Sequence, residues 1–175
     1  MQESRSGEGT FFVLTRSDAK ELFGLDGDEA VWQFADRYRS SPHDREDKSV
    51  LDCGTAWDPI HRVLTDGTLA HNTGDLPDNH CVLGGRRMHE GADFEVIMVR
   101  PDIVSLVAEN LQKLKNADFL VKYMALDPKQ YGQTPNETNG DVIWSMFKLI
   151  HQLFEEASAE HAAVLFAVKR TGSTP

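Results

Sequence analysis

Apolar and polar residues follow a helical period in several parts of this chain. Between Asp28 and Arg39 the apolar side chains are spaced i, i+3, i+4 and i+7, which predicts an amphipathic helix. The same period predicts a short helix from Asp18 to Phe23, one beginning at Pro101, another after Asn116, and the longest from Asp141 to Ala159. Each of these helices needs a surface to cover its apolar face.

The last two predicted helices carry broad apolar faces. In the helix after Asn116, the residues expected to face inward are Phe119, Leu120, Tyr123 and Met124. In the longest helix, the residues expected to face inward are Val142, Ile143, Met146, Phe147, Ile150, Phe154 and Ala157. This pattern predicts two helices that are each packed against the core along most of their length.

Four other segments carry β-branched and aromatic residues and predict strands at residues 10–15, 81–85, 93–99 and 161–169. Along the chain these strands do not alternate regularly with the helices. This order favours the α+β class over a doubly wound α/β fold. We expect a single compact domain in which several helices pack on a small, mainly antiparallel or mixed sheet.

Composition places the boundaries of this domain. Residues 1–9 are rich in Gly, Ser and Glu, and we expect them to form a disordered N-terminal tail. Residues 10–170 contain no stretch with the composition of a linker, so we expect them to form one α+β domain. Within it lie a charged loop at 40–49 and a long polar loop at 65–80, and loops of that length are often functional or mobile.

Charge narrows the classes of partner. Of the 175 residues, 28 are acidic and 18 are basic, which gives a formal net charge of −10. A surface of this sign repels nucleic-acid backbones and anionic lipid, so neither nucleic acid nor a membrane is expected as a partner. A basic protein partner or a small molecule stays open, although in most acidic proteins the net charge serves solubility alone.

The N-terminus and the cysteines indicate a cellular location. The first residues contain no apolar signal core, and no apolar run approaches the ~20 residues that span a bilayer. The two cysteines, Cys53 and Cys81, are too few for a disulfide scaffold in a chain of this length. We therefore expect a cytoplasmic protein with reduced thiols.

The segment Leu51–Gly67 holds the best candidate chemistry, because Trp57 and His61 lie at helical spacing within it. An indole can stack on a planar group, and an imidazole can exchange a proton near neutral pH. Pro59 belongs in the first turn of a helix, so Asp58 is expected as the N-cap and Trp57 just before it. The alternative without a function is that Trp57 anchors the core and His61 is a buried, hydrogen-bonded histidine.

A candidate pocket would combine Trp57 and His61 with Tyr131 and Arg86. Arg86 stands in Gly84-Gly85-Arg86-Arg87, which could form an anion-binding nest or simply a glycine turn with two solvated arginines. No serine stands in a G-x-S-x-G nucleophile motif. The sequence therefore assigns no catalytic residue, and whether the chain is an enzyme stays open.

Two cysteine–histidine pairs raise the question of zinc. Cys53 and His61 are eight residues apart, and so are Cys81 and His89. Structural zinc sites use close pairs such as C-x₂₋₄-C, and this spacing does not occur here. We therefore expect neither a metal nor another cofactor.

The segment Leu51–Gly67, read as L-D-x₄-W-x₃-H-x₂-L-T-D-G, resembles the signature of YfbM-like bacterial proteins, a family of domains of unknown function. Val82-Leu83-Gly84-Gly85 and Pro101-Asp102-Ile103-Val104 are similar to elements that follow it in that family. The resemblance covers roughly residues 10–169 in order. It implies a compact α+β domain and no established activity.

Two functions fit these observations. The first is a non-catalytic binding or interaction domain, for example one that binds a basic partner, and a clustered acidic surface would support it. The second is a small-molecule-binding protein or an enzyme, and it requires Trp57, His61 and Tyr131 in one pocket. We expect the first.

Overall fold

A five-stranded antiparallel sheet organises the fold. The structure, a computed structural model, describes residues 7–40 and 49–170. The strands are β1 (Gly9–Leu14), β2 (Val50–Gly54), β3 (Arg86–Arg87), β4 (Phe94–Val99) and β5 (Ala163–Lys169). They lie in the order β2-β1-β5-β4-β3, and every neighbouring pair is antiparallel. The predicted α+β class and antiparallel sheet are confirmed.

Within residues 7–40 and 49–170, seven helices cover both faces of this sheet. They are α1 (Arg16–Phe23), α2 (Asp28–Ser40), α3 (Trp57–Leu64), α4 (Pro101–Leu111), α5 (Asn116–Met124), α6 (Pro128–Tyr131) and α7 (Glu137–Ala159). A 3₁₀ turn at Asp78–His80 lies between α3 and β3. Among the described helices, none has both the length and the apolar character that a membrane span requires.

Two apolar clusters, one on each face of the sheet, form the core. Side chains along a strand point alternately to opposite faces, so neighbouring residues of β5 join different clusters. Leu165 packs with α1 and α2, whereas Phe166 packs with α3, α4, α5 and α7. Every residue of β5 from Ala163 to Val168 is buried, because both faces of this central strand are covered.

Several elements form where the sequence predicts them. The Thr15 side chain accepts a hydrogen bond from the Asp18 backbone N–H at 3.1 Å and caps α1. In α2, the predicted apolar face is buried throughout. That face consists of Val31, Phe34, Ala35 and Tyr38. Local capping and helical period therefore specify this face of the sheet.

Three helices begin earlier than predicted. Helix α1 begins at Arg16 rather than Asp18, directly after its Thr15 cap. Helix α3 begins at Trp57 rather than after Asp58, so Pro59 is its third residue. The first backbone N–H groups of a helix have no intrahelical acceptor, and a proline there removes no helical hydrogen bond. Helix α7 begins at Glu137 rather than Asp141, because the Asn136 side chain accepts a hydrogen bond from the Asn139 N–H at 2.9 Å.

The predicted strand at 81–85 is wrong. The Cys81 N–H donates to the Asp78 carbonyl, and the Gly84 N–H donates to that of Asn79 at 2.8 Å. These bonds coil the segment into turns, and a Cβ at Gly84 would lie 2.2 Å from the Asn79 oxygen. Strand β3 follows only at Arg86, where pairing with Met98 of β4 becomes available.

Ordered structure begins before residue 10. Of the predicted tail, residues 1–6 lie outside the described part of the chain, as do residues 41–48 of the predicted charged loop. Gly7 and Gly9 are both buried. Gly9 pairs with Val168 of β5, and the Gly7 carbonyl accepts a hydrogen bond from the Trp57 indole at 2.8 Å. Pairing in the sheet therefore orders the end of the predicted tail.

Candidate functional site

Helix α3, the centre of the predicted site, is enclosed on every side. All eight of its residues are buried, and three of them carry polar side chains: Asp58, His61 and Arg62. Burying a polar group costs free energy unless the group is hydrogen-bonded. The partners of these three side chains therefore decide what the helix can do.

His61 binds the long polar loop that follows α3. Its Nε2 lies 2.9 Å from the carbonyl oxygen of Ala70, to which the ring N–H donates. Burial lowers the pKa of His61, and the nearby His71 adds to this effect, while the Ala70 contact opposes it. A neutral, buried imidazole that donates to the backbone fastens residues 65–80 to the helix.

Asp58 and Arg62 form an ion pair inside the protein. The Arg62 Nε donates to Asp58 Oδ1 at 2.6 Å, and both side chains are about 5% exposed. A second guanidinium nitrogen donates to the carbonyl oxygen of Gly67 at 3.1 Å. The same guanidinium lies 5.8 Å from the centre of the Tyr131 ring. A buried pair with these additional contacts joins α3 to α6 and to the start of the 65–80 segment.

Tyr131 covers this ion pair from α6. Its ring meets that of Tyr123 edge to face, with 6.1 Å between centroids. Burial raises the pKa of Tyr131, and the neighbouring Tyr123 hydroxyl raises it further. Among the described residues, the fully buried Tyr123 hydroxyl has no partner at hydrogen-bond geometry. The two rings form an aromatic contact between α5 and α6.

Trp57 anchors the core. Its indole N–H donates to the Gly7 carbonyl, and its ring lies 5.5 Å from that of Phe166 in β5. The indole packs closely over Gly9, where an added Cβ would lie 2.8 Å from the ring. Only 1% of Trp57 is exposed, so the described packing leaves little of the ring open to a ligand.

Arg86 lies on the other face of the sheet from α3. It is exposed on β3, and its guanidinium lies 4.9 Å from the centre of the Phe23 ring in α1. Of the four residues in the predicted pocket, Trp57 and His61 share α3 and Tyr131 contacts that helix through Arg62. Arg86 lies apart from them, against Phe23 of α1.

A second polar cluster, which the sequence analysis missed, surrounds Glu95 in β4. Oε2 of Glu95 lies 2.9 Å from Nε2 of His71 and 3.1 Å from Nε2 of His89. Oε1 accepts from Arg170 at 2.7 Å. The Glu95 side chain is 2% exposed and the His71 side chain is 34% exposed, so the cluster leads from the sheet to the surface. One carboxylate thereby binds three separate segments.

These donors stabilise the ionised form of Glu95. Burial alone would raise the pKa of Glu95, but hydrogen bonds from His71 and His89 and the charge of Arg170 outweigh it. The pKa therefore lies well below its usual value. The only signal in the sequence is a glutamate within an otherwise apolar strand, Phe94–Val99.

The two cysteines are buried free thiols. The Cys53 thiol donates to the Gly9 carbonyl at 3.2 Å, and burial raises its pKa to about 12. Burial also raises the pKa of Cys81. Within residues 7–40 and 49–170, no group of three or more His, Cys, Asp or Glu side chains is placed to hold a metal ion. Neither thiol has the electropositive, accessible surroundings of a nucleophile.

An exposed apolar surface lies where α5 meets the first turns of α7. It forms an open depression of about 710 Å³, which we call the α5–α7 surface. The depression is lined by Leu120, Val121, Met124, Ala125, Glu137 and Asp141. Met124 and Val142 were predicted to face inward, but they are 44% and 65% exposed. Phe119 and Phe147, which were also predicted to face inward, do lie in the core.

Gly140 brings the two helices together. A Cβ at this position would lie 2.7 Å from a methyl carbon of Leu120 and 3.1 Å from the Tyr123 ring. Only a residue without a side chain allows this approach. The walls of the α5–α7 surface are therefore two closely packed helices rather than loops.

Comparisons with known proteins give a family and a fold. A sequence model of the family described as "Domain of unknown function (DUF1877)" matches residues 8–167. One similar solved structure is that of YfbM from Escherichia coli, a protein of unknown function. The two chains are 17% identical and superpose with a TM-score of 0.63 over 92% of this chain and 99% of the other. At this identity the likeness shows the fold alone. No curated protein matches the chain.

Proposed function

Since this chain belongs to the DUF1877 family, a domain of unknown function, we propose its function from its own surface. It is a non-catalytic interaction domain whose α5–α7 surface binds a basic, amphipathic segment of a protein partner. One observation carries the proposal, namely an apolar depression between two helices with carboxylates in its wall. A cytoplasmic location belongs to the same proposal, supported by the two free thiols.

The apolar part of this surface is the source of affinity. Val121 is 70% exposed, and with Met124 and the half-buried Leu120 it forms a stripe along α5. Single exposed apolar residues are common, whereas contiguous ones between polar rims mark interaction sites. A partner side chain that fills the depression would remove this stripe from water, which is the main favourable term in protein association.

Charge selects the partner. Glu137 and Asp141 are one helical turn apart on α7 and line the depression beside the apolar stripe. Carboxylates next to apolar side chains favour a segment in which apolar residues are flanked by Lys or Arg, and they repel an acidic one. The net charge of −10 adds long-range attraction for the same partner.

The polar groups around α3 support an interaction domain less directly. Trp57, His61 and Arg62 each bind a backbone carbonyl, so their polar atoms already have structural partners. A pocket of Trp57, His61, Tyr131 and Arg86 stays a prediction, and a thermal-shift screen against metabolites and metals tests it. A compound that stabilises the wild type but not His61→Ala would favour that pocket.

The test of the proposal is a selection of 12-residue peptides from a random displayed library. We expect the selected peptides to combine apolar residues with Lys or Arg, and to shift the amide NMR signals of α5 and of the first turns of α7. Binding of one synthesised peptide should weaken at least about fivefold in Val121→Ser and in a Glu137→Gln/Asp141→Asn variant.

The matched control is Glu29→Gln/Asp36→Asn, which removes two exposed carboxylates from α2 on the other face of the sheet. This variant should bind the peptide as the wild type does. Enrichment of acidic peptides would overturn the proposal, and so would signal shifts confined to another surface. A selection that yields no binding peptide would also count against it.

A further inference from the structure

Residues 65–80, which we call the strap, lie over α3 but are packed quite differently from it. Every residue of α3 is buried, whereas no residue of the strap is. Leu69 packs partly against the core, but Leu76 is 56% exposed. The strap therefore covers a fully buried helix while burying little apolar surface itself, which is typical of segments that open locally.

Polar contacts hold the strap in place. The Ala70 carbonyl accepts from His61, and the next residue, His71, binds Glu95 of β4. Near its end, the Asp78 carboxylate accepts from the Asn110 side chain of α4. At its start, the Gly67 carbonyl accepts from Arg62. When the strap lifts, water reaches the groups that it covered and replaces these hydrogen bonds, so the net cost of breaking them is modest.

Opening of the strap would change the surroundings of one titratable group. His61 is 1% exposed, and Ala70 of the strap accepts its ring N–H. If the strap lifts, this acceptor leaves and water reaches the imidazole. We propose that the strap is a lid over His61, latched by His71 and Glu95, and that protonation of His61 holds it open. This goes beyond the proposed function, because the lid lies on α3 rather than on the α5–α7 surface.

The direction of the effect follows from His61. In the closed form, burial first and then the nearby His71 lower its pKa from 6.5, so the closed form disfavours the proton. In the open form, the ring is hydrated and returns towards the ordinary pKa of a histidine. Acid therefore favours the open form at pH values below about 6.5. At one unit below that pKa, the open population should rise by at most about tenfold, which is the limit for a closed form that does not bind the proton.

Other charged groups face His61 and modify this effect. On α3, Asp58 favours the protonated ring, whereas Arg62 disfavours it. These two form an ion pair with each other, so their opposite effects largely offset. From the strap, the charge of His71 opposes protonation in the closed form, and this opposition would weaken as the strap moves away. A positive charge on His71 also strengthens its pair with Glu95, so we attribute opening in acid to the His61 imidazole and the solvent that reaches it.

Hydrogen exchange of the whole chain, read by mass spectrometry, tests the lid. Exchange is measured at about pH 7.5 and about pH 5.5, on either side of the ordinary imidazole pKa, and corrected for the intrinsic rate at each pH. In the wild type, we expect protection of 65–80 to fall more than that of β5 on acidification, by up to about tenfold. In His61→Gln, which cannot be protonated, this acid-dependent loss should disappear.

The latch is tested with His71→Ala and, separately, Glu95→Gln. Each should lower protection of 65–80 at both pH values while β5 stays protected. If Glu95→Gln fails to fold, the half-exposed His71 still provides the test. The control is His161→Asn, which changes an exposed histidine outside the strap and keeps a residue that tolerates its positive φ.

Three results would overturn the proposal. The first is exchange of 65–80 that follows β5 in every variant, which would mean global unfolding without a lid. The second is an acid response that persists in His61→Gln. The third is unchanged protection of 65–80 in His71→Ala. None of these measurements depends on a binding partner, so failure of the lid and failure of the α5–α7 surface are independent.

Discussion

Gly140 of α7 and Tyr123 of α5 are so close that a Cβ on the glycine would lie 3.1 Å from the tyrosine ring. Glycine inside a helix normally costs about 1 kcal/mol relative to alanine. Its presence as the fourth residue of a long helix is explained by this contact. The glycine lowers the helix propensity of α7 but allows the two helices to pack closely. This packing forms the α5–α7 surface.

Gly140→Ala should therefore destabilise the protein, although the higher helix propensity of alanine alone would stabilise it. The methyl group meets Leu120, which can shift, and Tyr123, which is fully buried and cannot shift easily. We expect a loss of about 1–2 kcal/mol in the free energy of unfolding in urea. Ser145→Ala, at an exposed position of the same helix, should change it by less than about 0.5 kcal/mol. A stabilised Gly140→Ala variant would contradict this account.

Substituting one member of the buried ion pair should destabilise the protein more than replacing both members with apolar residues. Asp58→Asn leaves the Arg62 guanidinium buried without its charge partner, and we expect about 3–5 kcal/mol of destabilisation. The double variant Asp58→Leu/Arg62→Met should be closer to the wild type, because neither charge then remains. Urea unfolding measures both. Asp102→Asn, which breaks an exposed pair with Arg100, should cost at most about 0.5 kcal/mol.

The Glu95 cluster should make the stability of the protein decrease at low pH. The folded-state pKa of Glu95 lies below the value of 4.5 that applies when the chain is unfolded. Its contribution is therefore complete above that pH and is lost as pH falls below it. Glu95→Gln should flatten the decline of the melting temperature over this range. Glu109→Gln, at an exposed carboxylate of α4, should leave the decline unchanged.

The native thiols should be unreactive. Cys53 and Cys81 are buried, and burial raises the pKa of Cys53 to about 12, so almost no thiolate forms near neutral pH. Ellman's reagent should modify them only at the rate of unfolding. Val121→Cys places a thiol at a position that is 70% exposed, and it should react at once. Equal rates for the native and the introduced thiols would contradict the burial described here.

Local patterns in the sequence predicted most of the fold. The cap at Thr15 and the apolar face of α2 depend on residues within two turns of each other, and both formed as predicted. The start of α3 was misplaced because proline is tolerated at several positions in a first turn. The segment 81–85 was misread because apolar residues in a tight coil have the same composition as a short strand.

The candidate sites were harder to predict, because they depend on contacts between distant segments. His71, His89 and Arg170 meet only at Glu95, and that meeting requires the pairing of β4 with β5. The exposure of Val142 was missed for a related reason. Its neighbour Ile143 packs against the core instead, and the helical period alone does not fix which side of a wide apolar face is covered.

The place of β5 in the sheet has a consequence for synthesis on the ribosome. This strand lies between β1 and β4, yet it is translated after every other strand. Until β5 emerges, β1 with β2 and β4 with β3 can form only two separate hairpin-like pieces with open edges. The nascent chain must therefore keep these edges apart from other chains until its final strand joins them.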